Sequence, residues 1–261
     1  MVYFVGAGPG AVDLMTLRGK ALLEQADLII YAGSLVNPAL LDFAKPGSRQ
    51  KNSATMTLEE VLAEIYAAEN AGLLTVRLHT GDPSLYGAIR EQMDALCASN
   101  IPFEVVPGVS SLGAAAAALG AEDTLPGISQ TLIISRMEGR TPVPEKEDMA
   151  ALAAHGSSMA IFLSAGLLPD LEKKLLASGR PADTPAAIIY KASWPEQACF
   201  DCTISTLAQT AKAHGIDKTA LILVGEFLSA TAYERSYLYH PDFETQFRAA
   251  AQGTPDHDKE Q

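Results

Sequence analysis

Three short stretches combine residue types and spacings that can hold a ligand with backbone groups alone. They are VGAGPG at Val5–Gly10, TGDPSLYG at Thr80–Gly87 and VVPGVSSLG at Val105–Gly113. Each follows a β-branched run, and each places glycine and proline where a turn brings peptide groups close to a ligand. The run from Gly6 to Ala11 also satisfies Gly-x-Gly-x-x-Gly/Ala, the fingerprint of a dinucleotide-binding turn. That chemistry needs a helix opening directly from the turn and an acidic residue ending the next strand to hold a ribose. Neither is present. Pro9 and Asp13 interrupt the turn, the expected helix cap is Thr16, and the second strand, DLIIYAG, ends in Ala32-Gly33 with Asp27 at its wrong end. A nicotinamide-dependent oxidoreductase is therefore the weaker reading. In the second stretch, Asp82 followed by Pro83 reads as the opening of a helix.

Cys199-Phe200-Asp201-Cys202 has the CxxC spacing of redox and zinc sites, and Cys97 is the only other cysteine. A zinc site needs two further ligands at suitable spacing, and the chain has no second CxxC and no HxxxH. The pair lies in QACFDCTIS, an extended pattern that sends the two thiols to opposite faces. No metal and no disulfide framework is expected.

The elements that must position these residues alternate between strand and helix. VYFVGAG, DLIIYAG, LTVRLHTG and FEVVPG read as strands, separated by the helical patterns TLRGKALLEQA, TLEEVLAEIYAAENAG and PSLYGAIREQMDALCASN. An alanine-rich helix, SSLGAAAAALG, follows. After GAEDTLPGIS a second series begins, with strands QTLIISRM, MAIFLSAG, AAIIYKAS and ALILVGEF and helices LPDLEKKLLASG and TLAQTAKAHG. The pattern predicts an α/β protein of two βα domains with mostly parallel sheets and a crevice between them. The expected divisions are an N-terminal domain over 1–120, a linker over 121–129, a C-terminal domain over 130–248, and a disordered polar tail over 249–261. In such sheets ligands bind at the carboxyl ends of the strands, where the glycine turns fall.

The 261 residues include 48% hydrophobic and 19% charged side chains, a balance that fits a globular chain with a sizeable core. Net charge is −12, from 31 acidic and 19 basic residues. No concentrated basic face is present, so nucleic acid is not an expected partner. No apolar run reaches the ~18 residues that span a bilayer. Met1-Val2-Tyr3-Phe4 runs straight into the first strand without the basic flank of a secretory signal, so a cytoplasmic protein without membrane association is expected.

Taken in order, the three turns resemble those of the tetrapyrrole methylases, a family of S-adenosylmethionine-dependent enzymes. The resemblance runs through VGAGPG with LMTLRGKALLEQADLIIY, TGDPSLYG and VVPGVSSLGAAAA, and extends over about residues 2–240. Three further stretches, YAGSLVNP at Tyr31–Pro38, KNSATMTLEE at Lys51–Glu60 and ISRMEGRTPVPEKE at Ile134–Glu147, are similar to the branch that methylates C11 of precorrin-4 or cobalt-precorrin-4 in cobalamin biosynthesis. Related uroporphyrinogen-III methylases commonly carry aspartate where this chain has Ala32.

The resemblance implies a two-domain homodimer with the cofactor in the inter-domain crevice. Carried onto this sequence, Pro9 borders the cofactor and the substrate trough. Thr80, Gly81, Asp82, Leu85 and Tyr86 line the cofactor, as do Ser110 and Ser111. Ser164, Ala165 and Ala192 close over its adenine and ribose from the second domain. A tetrapyrrole carries many carboxylates, so this acidic chain must gather cations locally. Arg136 and Arg140 flank a flexible Met-Glu-Gly and form the expected clamp. Lys51 and Lys191 are lesser candidates. Tyr31, Met137 and Trp194 are candidates for an apolar trough, and Tyr31 is, with His79, a candidate for a catalytic role. His79, at a strand exit, is a candidate for orienting substrate or accepting a proton. Methyl transfer from a sulfonium to a ring carbon needs neither protein nucleophile nor metal. A non-catalytic tetrapyrrole-binding module and a methylase acting at another ring position are the remaining alternatives.

Overall fold

A computed structural model of the chain describes residues 1–250; most of the expected tail, from residue 251 onward, lies outside the described residues. The first sheet comprises β1 (Val2–Gly6), β2 (Leu28–Tyr31), β3 (Arg49–Asn52), β4 (Thr75–His79) and β5 (Phe103–Val106). Its order is β3-β2-β4-β1-β5, and every pairing in it is parallel. Apolar residues alternate along the strands and bury both faces. Val5, Ile29, Val76 and Leu78 pack under α1 (Leu17–Gln25). Val2, Phe4, Leu28 and Ile30 pack under α2 (Leu58–Asn70) and α3 (Arg90–Ala98). The Thr16 side chain accepts from the Gly19 N–H and caps α1, as the sequence indicated.

The second sheet comprises β6 (Leu132–Arg136), β7 (Ser158–Phe162), β8 (Pro185–Tyr190), β9 (Ala198–Thr203) and β10 (Ala220–Val224), in the order β6-β7-β10-β8-β9. The two α/β layers agree with the sequence reading, but parallel pairing in this sheet is confined to β6–β7. The β7–β10, β10–β8 and β8–β9 pairs are antiparallel. The link 191–197 is too short for the crossover that a parallel β8–β9 pair would require, so β9 returns beside β8.

Helices α5 (Met149–Ala153), α6 (Leu168–Ala177) and α7 (Leu207–His214) cover one face of this sheet. On α6, Leu168, Leu171 and Leu175 share a helical stripe and are fully buried, each burial stabilising the fold by roughly 1.5–3 kcal/mol. The other face is covered by α4 (Ser111–Leu119), whose Ala114 and Ala115 pack on Ala187, Ile189, Leu221 and Leu223. Alanine lets this helix lie close to the second sheet although the turn leading into it belongs to the first. Cys202 packs among the residues under α7, whereas Cys199 reaches the Ala118 carbonyl of α4, so the two thiols lie on opposite faces of β9. No helix among the described residues is long and apolar enough to cross a membrane.

Candidate active site

Because β4, β1 and β5 are neighbours and run parallel, their carboxyl ends bring the three glycine turns together. Gly8 and Gly81 exchange backbone hydrogen bonds of 3.3 and 2.8 Å. A methyl group on Gly108 would lie 2.2 Å from the Gly81 carbonyl oxygen and 2.7 Å from the Gly6 Cα, and one on Gly6 would lie 2.5 Å from the Gly108 Cα. These two glycines let three chain segments touch. Gly81 has a different role: its φ is +60°, and an added Cβ would face the Ser111 N–H at 3.6 Å, filling the gap between the β4 turn and the start of α4.

Asp82 ties the turns together. Its carboxylate accepts the Gly108 N–H and the Ser84 N–H, each at 2.8 Å, and the Ser84 hydroxyl. Partial burial opposes ionisation, but these hydrogen bonds outweigh it and hold the carboxyl below its usual range. Asp82 does not open a helix, contrary to the sequence reading. Residues 83–86 make a single turn and α3 starts at Arg90, because Tyr86 (φ 58°) and Ala88 (φ 49°) are left-handed and interrupt the helical ladder.

The second sheet presents one end to this assembly. The ends of β6, β7 and β8 coincide there with the starts of β9 and β10. Leu163 (φ 53°), Lys191 (φ 45°), Ser193 (φ 68°) and Thr219 (φ 54°) lie at that end. Of the other described non-glycine residues with positive φ, Tyr86 and Ala88 follow the β4 turn and Asn100 follows α3. Such conformations cost roughly 1–3 kcal/mol each and mark functional sites. Contacts that bridge the crevice include the Tyr86 and Phe162 rings, with centroids 5.5 Å apart, the Trp194 indole N–H, which donates to the Pro9 carbonyl at 2.9 Å, and the Ser193 hydroxyl, which accepts the Ala11 N–H at 3.0 Å.

The residues carried over from the family meet around this crevice with different freedom. Pro9 and Gly81 are buried within the turns, while Thr80, Leu85, Ser110 and Ser111 are half-buried and Tyr86 is exposed. The Ser110 hydroxyl caps α4 by accepting the Leu112 N–H at 3.2 Å. Ser164 is fully buried, and its hydroxyl accepts the Met137 N–H and donates to the Phe162 carbonyl, so that side chain is already engaged. Ala165 and Ala192 are buried, the latter beside Ala114 and Ala115.

Three substrate candidates are engaged within the fold. Met137 is 7% exposed and packs in the core under α5 and α6. Lys51 stands on the edge strand β3 and pairs with Glu64 at 3.3 Å. The Arg136 guanidinium donates to the carbonyls of Met137, Thr141 and Pro142, so it shapes the loop 137–142 rather than standing open beside Arg140, which is exposed.

His79 is 3% exposed, with its Nε2 unpartnered. Burial, aided by Arg77, depresses its pKa to about 3. It is therefore neutral at ordinary pH and too weak a base to gather protons there. Arg77 escaped the sequence reading although it is 6% exposed. Its guanidinium donates to Gln92, Ser53 and the Ile30 carbonyl, and Ser53 in turn donates to the Tyr31 carbonyl. This network fixes the end of β2, where the half-buried Tyr31 packs on the α1 side of the sheet. Polar strand residues hidden between apolar ones give no periodic signal, and only the burial reveals them.

The model of the tetrapyrrole (corrin/porphyrin) methylases matches residues 1–208. The chain belongs to this family. Over 247 residues, 95% of either chain, it is 50% identical to the cobalt-precorrin-4 C(11)-methyltransferase of Methanocaldococcus jannaschii. A solved cobalt-precorrin-4 methyltransferase of cobalamin biosynthesis is similar with a TM-score of 0.86 at 44% identity, covering 88% of this chain and 96% of that one. The uroporphyrin-III C-methyltransferase of Thermus thermophilus, solved with S-adenosylhomocysteine, is similar with a TM-score of 0.73 at 27% identity, covering 87% of this chain and 98% of that one. At Gly81 a side chain would be strained by the positive φ and would lie against the Ser110–Ser111 backbone at the start of α4. A nicotinamide reading lacks its ribose acid, since β2 runs into Ala32 and Gly33.

Proposed function

We propose that the chain transfers a methyl group from S-adenosylmethionine to C11 of precorrin-4 or its cobalt complex, in corrin ring biosynthesis. The observation that carries this reading is the 50% identity, over 95% of both chains, to a cobalt-precorrin-4 C(11)-methyltransferase. When bound, S-adenosylmethionine supplies an electrophilic methyl group on a sulfonium, and the acceptor ring carbon supplies the electron pair.

The residues assigned to hold the cofactor are Pro9, Thr80, Gly81, Asp82, Leu85, Tyr86, Ser110 and Ser111 from the turns, and Ala165 and Ala192 from the second domain. Ser164 contributes backbone and shape, since its hydroxyl is hydrogen-bonded within the second domain. Such an enzyme works by holding donor and acceptor at attack distance and excluding water, and positioning of this kind lowers barriers by roughly 7–11 kcal/mol. The fused turns suit that task because their geometry is fixed by backbone contacts that tolerate no side chain at Gly6 or Gly108. Arg140 receives substrate carboxylates, and Arg136 holds the loop that presents it. The assembly proposed is a cytoplasmic homodimer, for which sedimentation velocity gives the mass.

Calorimetric titration with S-adenosylhomocysteine tests the cofactor assignment, with NADH and NADPH as controls. Saturable binding of S-adenosylhomocysteine alone is expected. Binding of a nicotinamide nucleotide in its place would overturn the reading.

A further inference from the structure

The link between β8 and β9 reaches across the crevice and grips the first glycine turn on both sides. The Trp194 indole N–H donates to the Pro9 carbonyl at 2.9 Å, and the Ser193 hydroxyl accepts the Ala11 N–H at 3.0 Å. Between them, Gly10 lies against the indole: a Cβ there would sit 2.0 Å from the ring's Cδ1. Gly10 is absent from the positive-φ residues, so its lack of a side chain serves the approach of Trp194 rather than the bend of the turn. Asn37 holds the same turn from within the first domain, donating to the Gly10 carbonyl at 2.8 Å.

The link is built before it makes this contact. Left-handed Lys191 and Ser193 flank the buried Ala192. The Trp194 N–H donates to the Lys191 carbonyl at 3.0 Å, and the Ser193 N–H donates to the Gln197 side chain at 2.6 Å. The Lys191 ammonium lies 5.4 Å from the indole centroid and 3.3 Å from Glu196, which confines the ring from above. One short segment therefore carries Ala192 to the proposed cofactor crevice and anchors itself on Pro9, on the crevice's opposite wall.

We propose that Trp194 is a positioning residue for methyl transfer: by latching the β8–β9 link to Pro9 it fixes the width of the cofactor crevice, and Gly10 is its receptor. This inference rests on the methyltransferase reading above. Trp194 acts through Pro9 and Ala192, so its loss raises the KM for S-adenosylmethionine and the Kd for S-adenosylhomocysteine.

The test is calorimetric titration with S-adenosylhomocysteine, well below the melting temperature, of the full chain and of W194F, W194A, G10A and the G10A/W194A pair. Trp194→Phe keeps the ring but loses the hydrogen bond, and is expected to weaken binding about five-fold, the equivalent of ~1 kcal/mol. Trp194→Ala is expected to weaken it by more. Gly10→Ala should approach Trp194→Ala, and the pair should match Trp194→Ala alone, because the Gly10 methyl acts only by displacing the indole. Phenylalanine restoring part of what alanine loses separates a latch from a loss of folding. Folded Trp194→Ala protein that binds as tightly as the wild type overturns the latch. Additive effects of Gly10→Ala and Trp194→Ala overturn the receptor role of Gly10. A wild-type chain that fails to bind S-adenosylhomocysteine overturns the methyltransferase reading itself and the latch with it.

Discussion

His79 makes the stability of this protein depend on pH with a sign and size that follow from its burial. Its pKa falls from 6.5 to about 3 on folding. Between those values the unfolded chain binds the proton and the folded chain does not. The contribution is therefore complete above pH 6.5 and is lost as the pH falls through that window. Each pH unit fully inside the window costs ~1.4 kcal/mol, so lowering the pH from 7.5 to 5 removes roughly 2 kcal/mol through this one imidazole. For a chain of this length that is a fall of about 4–8 °C in the thermal midpoint. The assay compares His79→Phe with the wild type in thermal denaturation at both pH values. Other titrating groups are common to the two proteins and cancel in the difference. The wild type is expected to lose ~2 kcal/mol more than the variant over this range. Parallel profiles would show that His79 titrates as in water, and would refute the burial argument. The same reasoning removes His79 as a proton acceptor, so the pH profile of methyl transfer is expected to show no inflection belonging to it.

Gly108→Ala is expected to destabilise the fold by ~1–3 kcal/mol or more, because its methyl meets the Gly81 and Gly6 backbones; Gly113→Ala, inside α4 with open space around it, should stabilise by ~0.5–1 kcal/mol. Denaturant midpoints check both, and matching signs would contradict the packing described. Asp82→Ala leaves the Gly108 and Ser84 N–H groups without their acceptor and should lower stability by ~1–3 kcal/mol while weakening S-adenosylhomocysteine binding; an unchanged melting temperature would count against its role as a tie. Arg140→Ala is expected to weaken tetrapyrrole affinity about ten-fold or more, the weight of one charge-assisted hydrogen bond, and to spare the cofactor, whereas Arg136→Ala should also weaken it by loosening the loop 137–142. Unchanged tetrapyrrole affinity in both variants would remove the clamp.

Local chemistry explains what could be read from the sequence. The Thr16 cap, the opposite-facing cysteines and the strands that end at glycines are each decided by residues a few positions apart. β3 was missed because Arg49–Asn52 is an exposed edge strand with no apolar alternation, and α5 because Met149–Ala153 is barely longer than a turn. The start of α3 was misplaced because Asp-Pro is good helix-opening chemistry, while the left-handed Tyr86 and Ala88 that cancel it carry no sequence mark. Side-chain type alone points to Met137 and Lys51, and only the fold tells that one enters a core and the other meets Glu64. Long-range approach was equally hidden. Gly10 falls at a variable position of the dinucleotide fingerprint, and its constraint comes from Trp194, far along the chain and across the crevice. The antiparallel half of the second sheet was concealed for a related reason, since strand patterns carry no direction and only the shortness of the 191–197 link betrays the return.

The central claim, methyl transfer to C11 of a precorrin-4-type ring, is tested most directly by incubating the purified chain with S-adenosylmethionine labelled with carbon-13 in its methyl group and with precorrin-4 or its cobalt complex. The product is then examined by NMR and mass spectrometry. One labelled methyl group on C11, with an equal amount of S-adenosylhomocysteine formed, is the expected result. Label on another ring carbon, or no transfer by protein that binds both ligands, would contradict the account.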